Sequence, residues 1–248
     1  MSSQSKLMAL RAKDGSELWS VDLAESGPVP RFGYSISPLV EDGVVIVEMG
    51  PRGSSPGVTA YHVETGAPKW NALTGPAGYS SPIVVEMNGG TQFILFRASG
   101  RELVGLSTRG EVLWRHPTPE ALSTIPTPIF IAPDRIFVST SEDDFGGRMF
   151  RILASDDGYR VEQLWQERLM RNHFNSSVLV GEHLYGFDNG TLRCLDAETG
   201  AKVWAKRGFG KGSLVSASGL LLILGDNGEL ALARASPDRY EELGRKQV

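Results

Sequence analysis

The sequence predicts an all-β chain, a β-propeller of four-stranded antiparallel blades, on two observations. Tryptophan recurs at Trp19, Trp70, Trp114, Trp165 and Trp204, with gaps of 51, 44, 51 and 39 residues. The mean gap, about 46, is the length of one four-stranded propeller unit. The residues ahead of each Trp also repeat. Asp14-Gly15-Ser16-Glu17-Leu18-Trp19 matches Thr65-Gly66-Ala67-Pro68-Lys69-Trp70, and Arg109-Gly110 and Thr199-Gly200 lead in the same way to Trp114 and Trp204. Asp156-Asp157-Gly158 reaches Trp165 with three extra residues.

Each copy divides into four short strands. The first follows a small hydroxylated residue: Ser37-Pro38-Leu39-Val40, Ser81-Pro82-Ile83-Val84, Thr127-Pro128-Ile129-Phe130, Ser177-Val178-Leu179-Val180 and Ser213-Leu214-Val215. The second is aliphatic and β-branched, as in Val44-Val45-Ile46-Val47 or Leu220-Leu221-Leu222-Ile223-Leu224. A third run, such as Leu192-Arg193-Cys194-Leu195, precedes the glycine turn, and the Trp strand is the fourth. Runs this short and this rich in β-formers read as strands. Asp188-Asn189-Gly190 and Asp226-Asn227-Gly228 carry hairpin chemistry, because Asn and Gly tolerate positive φ. Blades stacked in this way cover one another's faces, and Trp suits the wedge between them. No helical period separates the strands, so a parallel α/β fold is excluded. One helical turn over 117–122 and a turn over 236–243 are the only other local structures expected.

The expected single domain spans 1–248, with a half blade at about 7–23 and blades at about 33–73, 78–117, 125–168, 174–207 and 212–247. The last lacks its Trp. Composition agrees with a packed domain: 41% of residues are hydrophobic, 22% are charged and the net charge is −4. That excludes dominant disorder and gives no basic stripe for nucleic acid. No run approaches a membrane-spanning length, and no basic amphipathic helix suggests a membrane surface. The single Cys194 excludes an internal disulfide and a cysteine-rich zinc site. The opening residues 1–6 hold no apolar core of a secretory leader.

The repeats resemble PQQ-like (pyrroloquinoline-quinone-type) β-propeller repeats, the nearest copy being Leu195-Asp196-Ala197-Glu198-Thr199-Gly200-Ala201-Lys202-Val203-Trp204. Phe32-Gly33-Tyr34-Ser35, Gly78-Tyr79-Ser80 and Leu184-Tyr185-Gly186-Phe187 are also similar to exported bacterial proteins of this kind. The family includes quinoprotein alcohol dehydrogenases and the propeller lipoprotein of the outer-membrane barrel assembly machinery. Its rings hold roughly seven or eight blades. The resemblance therefore implies an incomplete ring of five blades and a half, a periplasmic or secreted parent, and an unpaired strand edge near Leu7 to Arg11. A closed six-bladed ring is the competing expectation.

Two functions from different classes remain open on sequence. One is a non-catalytic scaffold, without cofactor, that binds a protein or peptide. The other is a PQQ- and calcium-dependent alcohol or sugar dehydrogenase with part of its site in missing blades. The second needs Ca²⁺ ligands and a carboxylate base beside the quinone. The resemblance adds an adjacent-cysteine disulfide, which one Cys cannot form. Glu142-Asp143-Asp144 is the best acidic cluster and reads as a solvated loop or a peripheral cation site. His62, His116 and His183 have no metal-ligand spacing. Polar residues ahead of the innermost strands, namely Tyr34, Ser35, Tyr79, Ser80, His173, Asn175 and Lys211, would line the channel mouth and bind a ligand or peptide. They could equally cap strand ends and order water. The five Trp residues are expected to dock blades.

Overall fold

A computed structural model describes residues 1–2, 5–27, 29–50, 56–121, 123–142 and 145–248. It contains two compact units, 1–119 with 156–159, and 120–155 with 160–248.

The first unit opens with a two-stranded antiparallel sheet, β1 (Lys6–Leu10) and β2 (Glu17–Asp22). The next sheet runs β3 (Leu39–Glu41), β4 (Val44–Glu48), β5 (Pro56–His62) and β6 (Pro68–Thr74) in chain order. The third runs β7 (Ile83–Met87), β8 (Gly90–Arg97), β9 (Glu102–Ser107) and β10 (Val112–Pro117). The other three sheets are β11 (Ile129–Ile131) to β14 (Gly158–Glu167), β15 (Val178–Val180) to β18 (Lys202–Arg207), and β19 (Ser213–Ala217) to β22 (Glu241–Gln247). Within these, the middle strands are β12 (Arg135–Thr140), β13 (Gly146–Ser155), β16 (His183–Asp188), β17 (Thr191–Asp196), β20 (Leu220–Leu224) and β21 (Glu229–Arg234). The chain is thus all-β, with five four-stranded blades and one of two strands among the described residues. A 3-10 turn lies at Leu23–Ser26, capped by the Asp22 carboxylate on the Ala24 N–H. Sequence reading placed its helical turn at 117–122 instead. There β10 continues to Pro117, and Leu122 lies outside the described residues.

The glycine turn explains its own sequence. In Asp196 to Gly200 the Asp carboxylate accepts from the Thr199 N–H at 2.8 Å and from its hydroxyl at 2.7 Å. The Gly200 N–H donates to the Asp196 carbonyl, and Gly200 sits at φ +74°, where a side chain would be strained. The same glycine also leaves room for an indole. A Cβ on Gly66 would lie 2.6 Å from the Trp19 ring, on Gly110 2.4 Å from Trp70, and on Gly200 2.7 Å from Trp165. In each pair the indole belongs to the preceding sheet. Its N–H donates to a carbonyl in or beside the same turn: Trp19 to Val63, Trp70 to Thr108, Trp165 to Ala197. Trp204 donates to the Ser236 carbonyl at 2.9 Å and meets Tyr240 edge-on.

Trp114 differs. Its N–H donates to the Gln92 amide oxygen at 2.8 Å, and its ring lies over Gly105 of its own sheet. A Cβ on Gly158, in the turn between β13 and β14, would meet nothing within 4 Å. Trp114 is buried, whereas the other four indoles are half-buried.

Across the ladder four of the indoles face a small residue: Ala9 opposite Trp19, Ala60 opposite Trp70, Gly105 opposite Trp114, Cys194 opposite Trp204. The Trp-less last sheet reverses this, with Leu232 opposite Gly244. A register irregularity accompanies every one of these pairs. Between sheets the space fills with aliphatics, as where Ile46, Val58 and Ala60 meet Phe93, Leu95, Val104 and Leu106.

Replacing Trp165 by Ala should cost about 3–5 kcal/mol. Gly200→Ala should also destabilise, by more than about 1 kcal/mol, since it strains the turn and collides with the ring. Because both act on one contact, the double variant should lose less than the sum of the two, as read from urea unfolding followed by Trp fluorescence. Full additivity would show that the turn and the indole are independent.

Candidate functional site

The residues ahead of the innermost strands do different jobs. In the first unit, Tyr34 is buried among Leu7, Leu23, Ile36, Val45 and Tyr61, and burial with the Asp22 charge raises its pKa. Ser35 is exposed, Ser80 is buried, and Tyr79 is half-buried against Phe32 with ring centroids 5.9 Å apart. Phe32 itself is exposed, with the Arg31 guanidinium 5.1 Å from its ring centre. The hydroxyl of Ser81 accepts the Ser37 N–H at 2.9 Å, tying one sheet's inner loop to the next. Ser176 does the same for the Thr127 N–H in the second unit. The repeated hydroxyl residues thus include links between adjacent inner loops.

In the second unit the loop between β14 and β15 gathers His173, Asn175 and Lys211. Its base is a buried amide network. Asn172 donates to the Phe187 carbonyl at 2.9 Å and to the Asn175 side-chain oxygen at 3.3 Å, and accepts from the Ser177 hydroxyl at 2.9 Å. Asn175 in turn donates to the Gly212 carbonyl at 2.5 Å. Ser139 donates to the Met170 carbonyl and accepts the Asn172 N–H. Satisfied buried polar groups of this kind hold a loop in one conformation.

Beside the network stands an ion triad with a buried carboxylate and two partly exposed arginines. Asp188 accepts from Arg171 at 2.6 Å and from Arg193 at 2.7 Å. Burial pushes the Asp188 carboxyl up, but the hydrogen bonds and charges of the two arginines outweigh it and leave its pKa below the ordinary value. Sequence reading saw Asp188 only as a turn residue, because its partners lie 17 and 5 positions away on other elements.

On top of this base, His173 stacks on Phe174 with ring centroids 3.8 Å apart, and the Lys211 ammonium lies 3.2 Å from His173 Nδ1. Phe174 is 74% exposed, Lys211 is exposed and His173 half-buried. Burial and the Lys211 charge lower the imidazole pKa, and Glu142 opposes them. The imidazole is therefore neutral at neutral pH, as an acceptor for the ammonium must be. Sequence reading passed over Phe174; the available signal was a large aromatic in a loop, outside any strand alternation.

No three His, Cys, Asp or Glu side chains converge to hold a metal ion among the described residues. Asp143 and Asp144 of the expected acidic cluster lie outside them. Cys194 is buried opposite Trp204 and its thiol is pushed up to about 11, chiefly by burial, which leaves it unreactive. No helix is long and apolar enough to cross a membrane among the described residues.

A family model described as outer membrane protein assembly factor BamB matches residues 1–236. Among solved structures, BamB from Moraxella catarrhalis is similar with a TM-score of 0.68 at 15% identity, over 99% of this chain and 68% of that one. The computationally designed Ika8 protein gives 0.66 at 11% identity, over 99% and 70%. The Cps50 (Swd1) β-propeller domain of Myceliophteria thermophila gives 0.59 at 11%, over 89% and 74%. At such identities the likeness is one of fold. No curated protein matches the chain in sequence.

Asp188→Asn should destabilise the protein by about 3 kcal/mol at pH 7, since it strands two arginine charges. The Asp188 pKa falls on folding, from an unperturbed 3.8. Its stabilisation is therefore present above that value and is lost as pH falls through the lower folded one. Urea midpoints of wild type and D188N should thus be well separated above the ordinary Asp value of 3.8 and converge as pH falls through the lower folded one. A constant gap across that range would show that the triad carries no charge-dependent stability.

Proposed function

The chain belongs to the outer membrane protein assembly factor BamB family, and from that premise we propose that it is a non-catalytic propeller scaffold of the bacterial cell envelope that binds a protein or peptide. The observation that carries this reading is the β14–β15 loop. A buried amide network and an ion triad hold it, and it turns an exposed Phe174 and a half-buried His173 outward, where Lys211 of the β18–β19 loop meets the imidazole. A monomer gains nothing in stability from leaving a large aromatic side chain in water on a pinned loop. Contact surfaces are enriched in such residues, and a held loop loses little entropy on binding. His173, Asn175 and Lys211 of the expected channel-mouth set come together here, with Asn175 as a support and the other two as contacts. In the first unit Phe32 with Tyr79 forms a smaller aromatic pair on the corresponding loops, which we assign to the same kind of contact.

The dehydrogenase alternative has no comparable support. It needs a metal-ligand set and a base held beside a planar ring, and no three His, Cys, Asp or Glu side chains converge among the described residues to favour it.

Two measurements test the scaffold. Adding PQQ and Ca²⁺ to the purified chain should leave the quinone absorbance unperturbed and produce no dye-linked alcohol oxidation. A photo-crosslinking amino acid at position 174, in cells expressing the protein in the envelope, should give discrete adducts that the same group at Glu86 does not. Retained quinone with turnover, or identical adducts at both positions, would overturn the reading.

A further inference from the structure

Resting on the scaffold reading, we propose that His173, Phe174 and Lys211 form a clamp for a carboxylate, so that the partner segment seated there is acidic, with an apolar side chain beside the acid. Charge complementarity picks out this occupant. Lys211 forms no ion pair with a carboxylate among the described residues; its ammonium has only the lone pair of His173 Nδ1, at 3.2 Å. The nearby Asp226 does not neutralise it through that ammonium. Its carboxylate accepts the Lys211 backbone N–H at 2.8 Å, which fixes the base of the side chain and leaves the tip to the imidazole. An ammonium has three donors, and a neutral imidazole takes one of them. The remaining donors suit a carboxylate, whose oxygens accept charge-assisted bonds. Phe174, stacked on the far partner of that hydrogen bond, presents its ring to whatever side chain adjoins the acid.

The clamp carries a proton linkage that a plain apolar patch lacks. Charged groups act on His173 from two elements. Lys211 comes from the loop ahead of β19 and Glu142 from the connection between β12 and β13. Arg171, two residues earlier in the His173 loop, is paired with Asp188 of β16. Asp143 and Asp144 lie outside the described residues. The Lys211 charge disfavours a proton on the imidazole and Glu142 favours one. A carboxylate bound on Lys211 screens its charge and attracts a second cation. Binding then favours protonated His173, and by reciprocity acidification through the imidazole titration tightens binding. Protonation also breaks the Lys211 hydrogen bond, leaving two adjacent cations for one anion.

The test uses the full chain and three probes. These are an acetylated Gly-Glu-Phe-Glu-Gly amide, the same peptide with Gln for Glu, and inorganic phosphate. Binding is followed by NMR at the 173, 174 and 211 amides and at the His173 imidazole, from pH 7.5 to pH 5.5. The Glu peptide should bind about tenfold more tightly than the Gln peptide. It should raise the His173 titration midpoint and tighten as pH falls. Lys211→Ala should abolish the preference for Glu. His173→Gln should keep that preference and lose its pH dependence, and Phe174→Ala should weaken both peptides alike. All three positions lie on the surface loops, and an unchanged thermal midpoint checks each variant's fold. Equal affinity for Glu and Gln peptides, displacement by phosphate at equal affinity, or an unchanged K211A would overturn the clamp. Crosslinks at position 174 without carboxylate preference would sink the clamp and leave the scaffold standing; quinone turnover would sink the scaffold itself.

Discussion

The structure depends on one contact: an indole from one sheet laid flat over the glycine of the next sheet's turn. Glycine serves that contact twice. Its positive φ closes the turn, and its missing Cβ opens the slot the ring fills, so no other residue meets both demands. The indole N–H is satisfied by a carbonyl in or beside that turn, which removes the penalty of burying it. Sheets joined in this way need no long-range sequence specificity. Each requires only a Trp at the end of its own repeat and a glycine turn in the next, which is how a repeat can drift in every other position and keep its stacking.

Around that contact the remaining residues adjust. Small residues lie across the ladder from Trp19, Trp70, Trp114 and Trp204, since two bulky side chains crowd one cross-strand pair beside a packed neighbour sheet. The Trp-less last sheet has Leu opposite Gly, which keeps the bulk but changes the strand that carries it. At the strand ends, buried charge takes over from apolar packing. Arg97 is 1% exposed and bridges Glu48 at 2.7 Å and Glu102 at 3.3 Å, linking β4 to β8 and β9. Burial pushes the Glu48 carboxyl above its ordinary pKa, with Arg97 acting against it. Asp188 with Arg171 and Arg193 is the corresponding device in the second unit, and there the pairing wins. Such pairs add little net stability over an apolar replacement, but removing one member leaves a stranded charge, so they constrain geometry strongly.

The contact surface follows from the same economy of roles. The β14–β15 loop is the one place where the ion triad, a buried amide network and an exposed aromatic meet in a single segment of seven residues, from Arg171 to Ser177. Its inner side chains, Asn172, Asn175 and Ser177, spend their hydrogen bonds on the scaffold. Its outer ones, His173 and Phe174, are thereby free to meet a partner without disturbing the fold.

The sequence by itself determined the fold class, the strand content and the place of the glycine turns ahead of the Trp strands. These depend on local chemistry: β-branched runs, Asn-Gly and Thr-Gly pairs, and a Trp at regular spacing all act within a few residues of where they stand. It also determined that the first sheet has two strands and the last no Trp. Only the tertiary structure decided which way each indole turns. Trp114 and Trp70 follow similar phrases, yet Trp114 lies over Gly105 of its own sheet while Trp70 lies over Gly110 of the next, so the local phrase does not fix the direction. It likewise decided that Tyr34 is core while Phe174 is surface, although both precede an inner strand. Exposure is set by what neighbouring sheets place against a loop, and that is a property of packing, which no local pattern encodes.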